Sequence, residues 1–216
     1  MRVVIAGGHG QIALKLEQLL AARGDEVVGI IRNPDHAGDL QEVGAEAAVL
    51  DLEQASVDDV QQVVKGADAV VFAAGAGPGS GKERKLTVDR DAAILLADAA
   101  VAAGVRRYLI VSSIGAGSGS PDSDDVMEVY NWAKGEADEA VVERDLDVTI
   151  VRPGRLTDGD STGRVTVGTT VERGEITRAD VALVLLAVLD REGLAGKRFE
   201  LVGGGDEIDY ALSSLG

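Results

Sequence analysis

The stretch that decides the fold is Val3-Val4-Ile5-Ala6-Gly7-Gly8-His9-Gly10-Gln11-Ile12-Ala13. An apolar β-branched run ends in a glycine turn, and the turn opens into a segment with helical periodicity. That order suits a dinucleotide's pyrophosphate. Gly7 makes the tight turn out of the strand, and Gly10 admits backbone to the phosphates with no Cβ in the way. The helix that follows offers the free N–H groups of its first turn, Gln11 and Ile12 among them, and the positive end of its dipole. Ala13 takes the third small position, where helix and strand must lie close.

Downstream, apolar runs alternate with helical patterns, the sequence form of a parallel sheet covered on both faces. Strands are predicted over Arg2–Ala6, Glu26–Ile31, Ala47–Leu50, Ala69–Ala73, Arg107–Ser112 and Val148–Val151, with a shorter one over Arg198–Val202. Helices are predicted over Gly10–Arg23, Pro34–Val43, Val57–Lys65, Lys85–Ala103, Val126–Arg144 and Arg178–Asp190. Ser56-x-x-Asp59 and Thr177-x-x-Asp180 resemble capping boxes, and Gly24 and Gly104 stand where helix C-caps are expected. Two loops, Gly75–Gly81 and Gly115–Asp125, follow the fourth and fifth strands, on the side where a doubly wound sheet binds its ligands. No repeat or linker divides the chain, so the expectation is a single domain over residues 1–216.

Composition narrows the function. The net charge of −16 argues against a phosphate-backbone surface, so nucleic acid is not an expected partner. No long apolar stretch suits a membrane, and no secretory segment precedes the first strand; the chain reads as cytoplasmic. The absence of cysteine removes disulfides, thiolate nucleophiles and zinc–thiolate sites. Asp122, Asp124 and Asp125 lack an accompanying histidine pattern and read as loop and helix-start charges, so no metal is expected. A small-molecule substrate is the expected partner, and oligomeric state is open.

The chemistry-bearing residues lie in the second half. Ser112-Ser113 ends the fifth strand, and Tyr130 and Lys134, four apart, share a helix face. An ammonium beside a tyrosine stabilises the phenolate and lowers its pKa, while a serine hydroxyl orients a carbonyl or alcohol oxygen. The second strand ends at Arg32-Asn33 with no acidic residue to grip a ribose 2′-hydroxyl. Arginine there favours a 2′-phosphate, so NADP is preferred over NAD, with His9 also in reach of that phosphate. Each residue has a plain reading too: Tyr130 and Lys134 as a surface pair, the serines as strand-end donors, Asp51 as a turn cap, and Arg32 and His36 as solvated side chains.

In this order the motifs resemble the short-chain dehydrogenase/reductase superfamily, in its group of small, atypical NAD(P)-binding proteins related to sugar epimerases. The matching residues are Gly7-x-x-Gly10-x-x-Ala13, Asp51-Leu52, Ala73-Ala74-Gly75, Ser112-Ser113, Tyr130-x-x-x-Lys134 and Arg152-Pro153-Gly154. Ile176 to Ala182 and Phe199-Glu200-Leu201 continue the likeness to the end of the chain. The resemblance implies a Rossmann-like doubly wound α/β fold with a small C-terminal substrate-side region. It implies Asp51 and Leu52 beside the adenine, Ala73, Ala74 and Gly75 along the ribose and nicotinamide, and Pro153 and Gly154 bordering the nicotinamide. It further implies Ser113, rather than Ser112, as the catalytic-type serine, with Tyr130 as acid/base and Lys134 tuning it and holding ribose. Only about sixty residues follow Gly154, which disfavours a large nucleotide-sugar pocket. The expected activity is hydride transfer on a small carbonyl or alcohol, as an NADP-dependent oxidoreductase or epimerase-like enzyme. The other reading is a non-catalytic NADP(H) sensor or scaffold.

Overall fold

A computed structural model describes every residue of the chain except Pro78, which falls within the expected loop at 75–81 and lies outside the described residues. The chain opens with β1 (Arg2–Ala6), α1 (Gln11–Arg23), β2 (Glu26–Ile31), α2 (Ala37–Glu42), β3 (Glu46–Val49), α3 (Val57–Val64) and β4 (Ala69–Phe72). One continuous helix follows: α4 (Lys82–Arg84), a π-helical stretch (Lys85–Asp91), then α5 (Ala92–Ala103). The second half runs β5 (Arg107–Val111), α6 (Val126–Val142), β6 (Asp147–Pro153), β7 (Arg155–Thr157), β8 (Arg164–Gly168), β9 (Glu175–Thr177) and α7 (Arg178–Leu189). It closes with β10 (Arg198–Gly203), β11 (Asp206–Glu207) and α8 (Ile208–Ser213).

The main sheet has the order β11-β8-β10-β6-β5-β4-β1-β2-β3. From β10 to β3 every pairing is parallel, and β8 turns antiparallel against β10 and β11. This is the Rossmann-like α/β arrangement. Strand alternation sends Val3 and Ile5 of β1 to one face, with α1 and α7, and Val4 and Ala6 to the other, with α3, α5 and α6. Because both faces are covered, residues 3–6 are entirely excluded from solvent, which is why β1 reads as an unbroken apolar run. On α5, Ala92, Ala93, Ala97, Ala99 and Ala100 are buried, and their small side chains let that helix lie close to its neighbours.

Several boundaries have a visible cause. Ser56 and Asp59 form the reciprocal capping box, at 3.2 and 2.9 Å, and Gly24 and Gly104 are left-handed C-caps. At Thr177 only half the box forms. Its hydroxyl accepts from the Asp180 N–H, but the Asp180 carboxylate instead accepts from the backbone N–H groups of Thr162 and Gly163, at 2.9 and 2.8 Å, and pins the strand-8 approach. The helix expected over Pro34–Val43 begins as a 3₁₀ turn, Pro34–His36, tightened by Asn33, whose side chain accepts from the Asp35 N–H at 3.1 Å. The short strands β7, β8, β9 and β11 escaped the sequence reading because two to five residues of mixed burial carry too little periodicity.

Strand order reverses between β1 and β4, which opens a crevice at the carboxyl ends of both. Gly7 leaves β1 there, and Ala73 leaves β4.

Candidate nucleotide and substrate clefts

The crevice has two connected halves that share Ala73, Ala74 and Gly75. The first, about 260 Å³, brings together Gly7, His9, Gly10, Arg32, Asp51 and Leu52. The second, about 410 Å³, brings together Ile12, Ser113, Tyr130, Lys134, Pro153 and Gly154. Gln11 is the exception: it lies on neither wall, and its exposed side chain faces Lys15 and Asp158 on another side of α1.

The glycine turn is built by close approach. Gly7 sits at φ +83°, and a Cβ there would lie 2.6 Å from the Ala74 Cα, so the β1 and β4 ends can meet only at a residue without a side chain. The Gly10 N–H donates to the Gly7 carbonyl at 2.7 Å and closes the turn. Ala13 is fully buried beneath it. No side chain caps α1 and no acidic residue occupies its first turn, leaving its N–H groups and dipole available to an anion. A nicotinamide dinucleotide fits this cradle on those grounds.

At the rim of the first half, Arg32 donates to Glu53 at 3.0 Å, and Arg84 and Thr87 donate to the same carboxylate at 2.9 and 2.7 Å. The Arg84 hydrogen bond above all holds the Glu53 carboxyl below its usual range. Arg32 is therefore half of an arginine pair bridged by a carboxylate, not a lone cation. His36, read from sequence as a solvated side chain, instead stacks on His9 with ring centroids 3.6 Å apart, and His9 pairs with Asp39 at 2.6 Å. Asp51 lines the cleft and also accepts from the Glu53 N–H at 3.0 Å, so it caps its turn as well.

In the second half the two serines separate. The Ser112 hydroxyl donates to the buried Asp138 at 2.8 Å, and Asp138 also pairs with Arg152 at 2.8 Å. Ser113 faces Tyr130 and favours its ionised form. The expectation for Tyr130 itself is reversed: its pKa is pushed up, first by burial and then by the Asp89 carboxylate, both outweighing Ser113. Lys134 does not supply the lowering expected of it because its ammonium is committed elsewhere. It donates to the Val111 carbonyl at 2.9 Å, lies 3.9 Å from Asp89 and sits over the Phe72 ring. Burial pushes the Lys134 pKa down, and Asp89 opposes that. Burial raises the Asp89 carboxyl in turn, against the pull of Lys134.

Asp89 and Lys85 were not singled out from sequence. Both come from the π-helical stretch, whose wider winding rotates residues out of ordinary helical phase and delivers Lys85 and Asp89 to this half while Val88 lines the other. Of the acidic loop residues, Asp125 caps α6 through the Met127 N–H at 2.8 Å, and Asp124 pairs with Lys82 at 3.0 Å. Among the described residues no helix is long and apolar enough to cross a membrane, and no cluster of acidic or histidine residues is placed to hold a metal.

A sequence model of the NAD(P)H-binding family matches residues 7–192. The uncharacterized sugar epimerase YhfK of Bacillus subtilis is 34% identical over the whole of both chains. Among solved structures, a candidate NAD-dependent epimerase/dehydratase from Bacillus halodurans superposes with a TM-score of 0.90 at 36% identity, covering 100% of each chain. The oxidoreductase ylbE from Lactococcus lactis has a TM-score of 0.86 at 26% identity, covering 100% of this chain and 96% of its own.

Proposed function

Because the chain belongs to the NAD(P)H-binding family, we propose that it is an NADP-dependent oxidoreductase acting on a small carbonyl or alcohol substrate, with Ser113, Tyr130 and Lys134 as its catalytic group. The observation that carries this reading is the continuity of the glycine cradle with the cleft holding those three side chains. The cofactor, when bound, supplies or accepts the hydride. The chain's own residues manage the oxygen and its proton. Tyr130, held in its protonated form, donates the phenolic proton to the substrate oxygen, which suits reduction. Ser113 orients that oxygen, and Lys134 turns its remaining N–H donors toward the cofactor ribose. Preference for NADP follows from the paired guanidinium groups of Arg32 and Arg84 at the adenosine end, with His9, stacked on His36, lining the same half of the crevice. Gly7, Gly10, Ile12, Asp51, Leu52, Ala73 to Gly75, Pro153 and Gly154 form the remainder of the proposed cofactor surface.

Tyr130→Phe should abolish NADPH oxidation with aldehydes, ketones and quinones while leaving cofactor affinity within about twofold of wild type, since the phenol is a proton donor and not an anchor. Unchanged turnover removes Tyr130 from the mechanism. One observation favours the second reading, a cofactor-binding sensor: Lys134 is turned to Val111 and Asp89 rather than toward the Tyr130 hydroxyl. Tight NADPH binding with no turnover across that panel would support it.

A further inference from the structure

We propose that Lys85 is a substrate anchor, and that the substrate of this cleft is a small carbonyl compound bearing a carboxylate beside an apolar body. The inference rests on the reading above only in taking the cleft next to Tyr130 as the place where substrate sits.

Lys85 is nearly buried, at 7% exposure, and its ammonium lies 5.3 Å from the centre of the Tyr130 ring. An ammonium has three N–H donors. One goes to the Gly77 carbonyl at 3.0 Å, and among the described residues no carboxylate comes within 4.0 Å of it. Each of the other cations of the cleft already has a carboxylate beside it. Lys134 lies 3.9 Å from Asp89, and Arg155 pairs with Glu175. Lys85 thus holds an ammonium at the cleft wall with donors to spare, in a chain whose net charge of −16 would otherwise repel anions. Burying such a group is costly unless something negative completes it. Met127, 57% exposed, and Leu156 supply an apolar wall in the same cleft. Because the ammonium lies over the Tyr130 ring, a carboxylate held by it sits on the wall of the cleft that carries the phenol. A single ammonium, in a cleft whose Arg155 guanidinium is already paired with Glu175, suits a monoanion better than a phosphate dianion.

The test is equilibrium binding, which needs no turnover. Phenylglyoxylate, its neutral amide and phenyl phosphate are titrated calorimetrically into the protein saturated with NADP⁺, using wild type, Lys85→Met and Lys85→Arg. The carboxylate should bind about tenfold more tightly than the amide in wild type, equally weakly in Lys85→Met, and with its preference restored in Lys85→Arg. Equal binding of acid and amide by wild type, no binding of the acid, or a preference that survives in Lys85→Met overturns the proposal. Tighter binding of phenyl phosphate overturns the carboxylate assignment. The wild-type comparison stands even where Lys85→Met does not fold. Loss of turnover in every assay with the carboxylate preference intact sinks the hydride-transfer reading and leaves this one; turnover with no preference does the reverse.

Discussion

Glu17→Gln should remove a large pH dependence from the stability of this protein. Glu17 lies on α1 with its side chain fully buried under the glycine turn. A Cβ on Gly29 would come within 2.5 Å of its Oε1, and one on Gly8 within 3.0 Å, so both glycines make room for the carboxyl. Neither oxygen has a hydrogen-bond partner within the protein. Burial alone pushes its pKa from the usual 4.5 up to about 8. The folded state therefore holds this proton where the unfolded chain releases it. The associated stability is full below about pH 4.5, declines as pH rises and is lost by about pH 8. At about 1.4 kcal/mol per pH unit, the ceiling is about 5 kcal/mol. Glutamine keeps the shape and cannot ionise. Urea unfolding followed by circular dichroism should place the two proteins within about 1 kcal/mol at pH 5, with Glu17→Gln ahead by about 3 kcal/mol at pH 8.5. Parallel stability curves for the two proteins would refute the reasoning. Above pH 8 the ionised wild-type carboxylate also lies under the turn that faces the cofactor phosphates, so the variant should show a shallower loss of NADPH affinity there.

Three further substitutions test other parts of the structure. Gly7→Ala combines the strain of φ +83° with a contact 2.6 Å from Ala74, and should cost about 2–5 kcal/mol in urea unfolding and eliminate NADPH binding by fluorescence titration. Asp180→Ala strips the acceptor from the Thr162 and Gly163 N–H groups and the Thr177 hydroxyl, and should cost roughly 3 kcal/mol by the same denaturation measurement. Arg32→Ala should weaken NADP⁺ about tenfold in calorimetry while leaving NAD⁺ unchanged, and an equal loss for both would place Arg32 outside 2′-phosphate recognition.

The parts legible in the sequence were those carried by local pattern. The first two strands fall at their expected bounds because continuous β-branched runs and flanking glycines are properties of neighbouring residues. Gly7, Gly10, Ser113, Tyr130, Lys134 and Pro153 reach one crevice because each ends or follows a strand, or lies in the first turns of the helix after one, in a fold whose connections repeat. Illegible were the partners each side chain finds. Lys85 and Asp89 sit in what reads as ordinary helix, and nothing local announces the π winding. His36 looked solvated because its partner, His9, is 27 residues away in the chain, with α1 and β2 between them.

By itself, then, the sequence determined the doubly wound sheet and the place of the phosphate cradle. Period, glycine position and strand order are short-range or repetitive, and survive without coordinates. Only the tertiary structure decided the electrostatics inside the crevice. It left Tyr130 protonated, turned Lys134 toward Val111 and Asp89, bridged Arg32 to Arg84 through Glu53, and sealed Glu17 under the opening turn. A charge's behaviour depends on its burial and on which opposite charge or hydrogen-bond partner lies within a few ångströms, and both are set by residues distant in the chain.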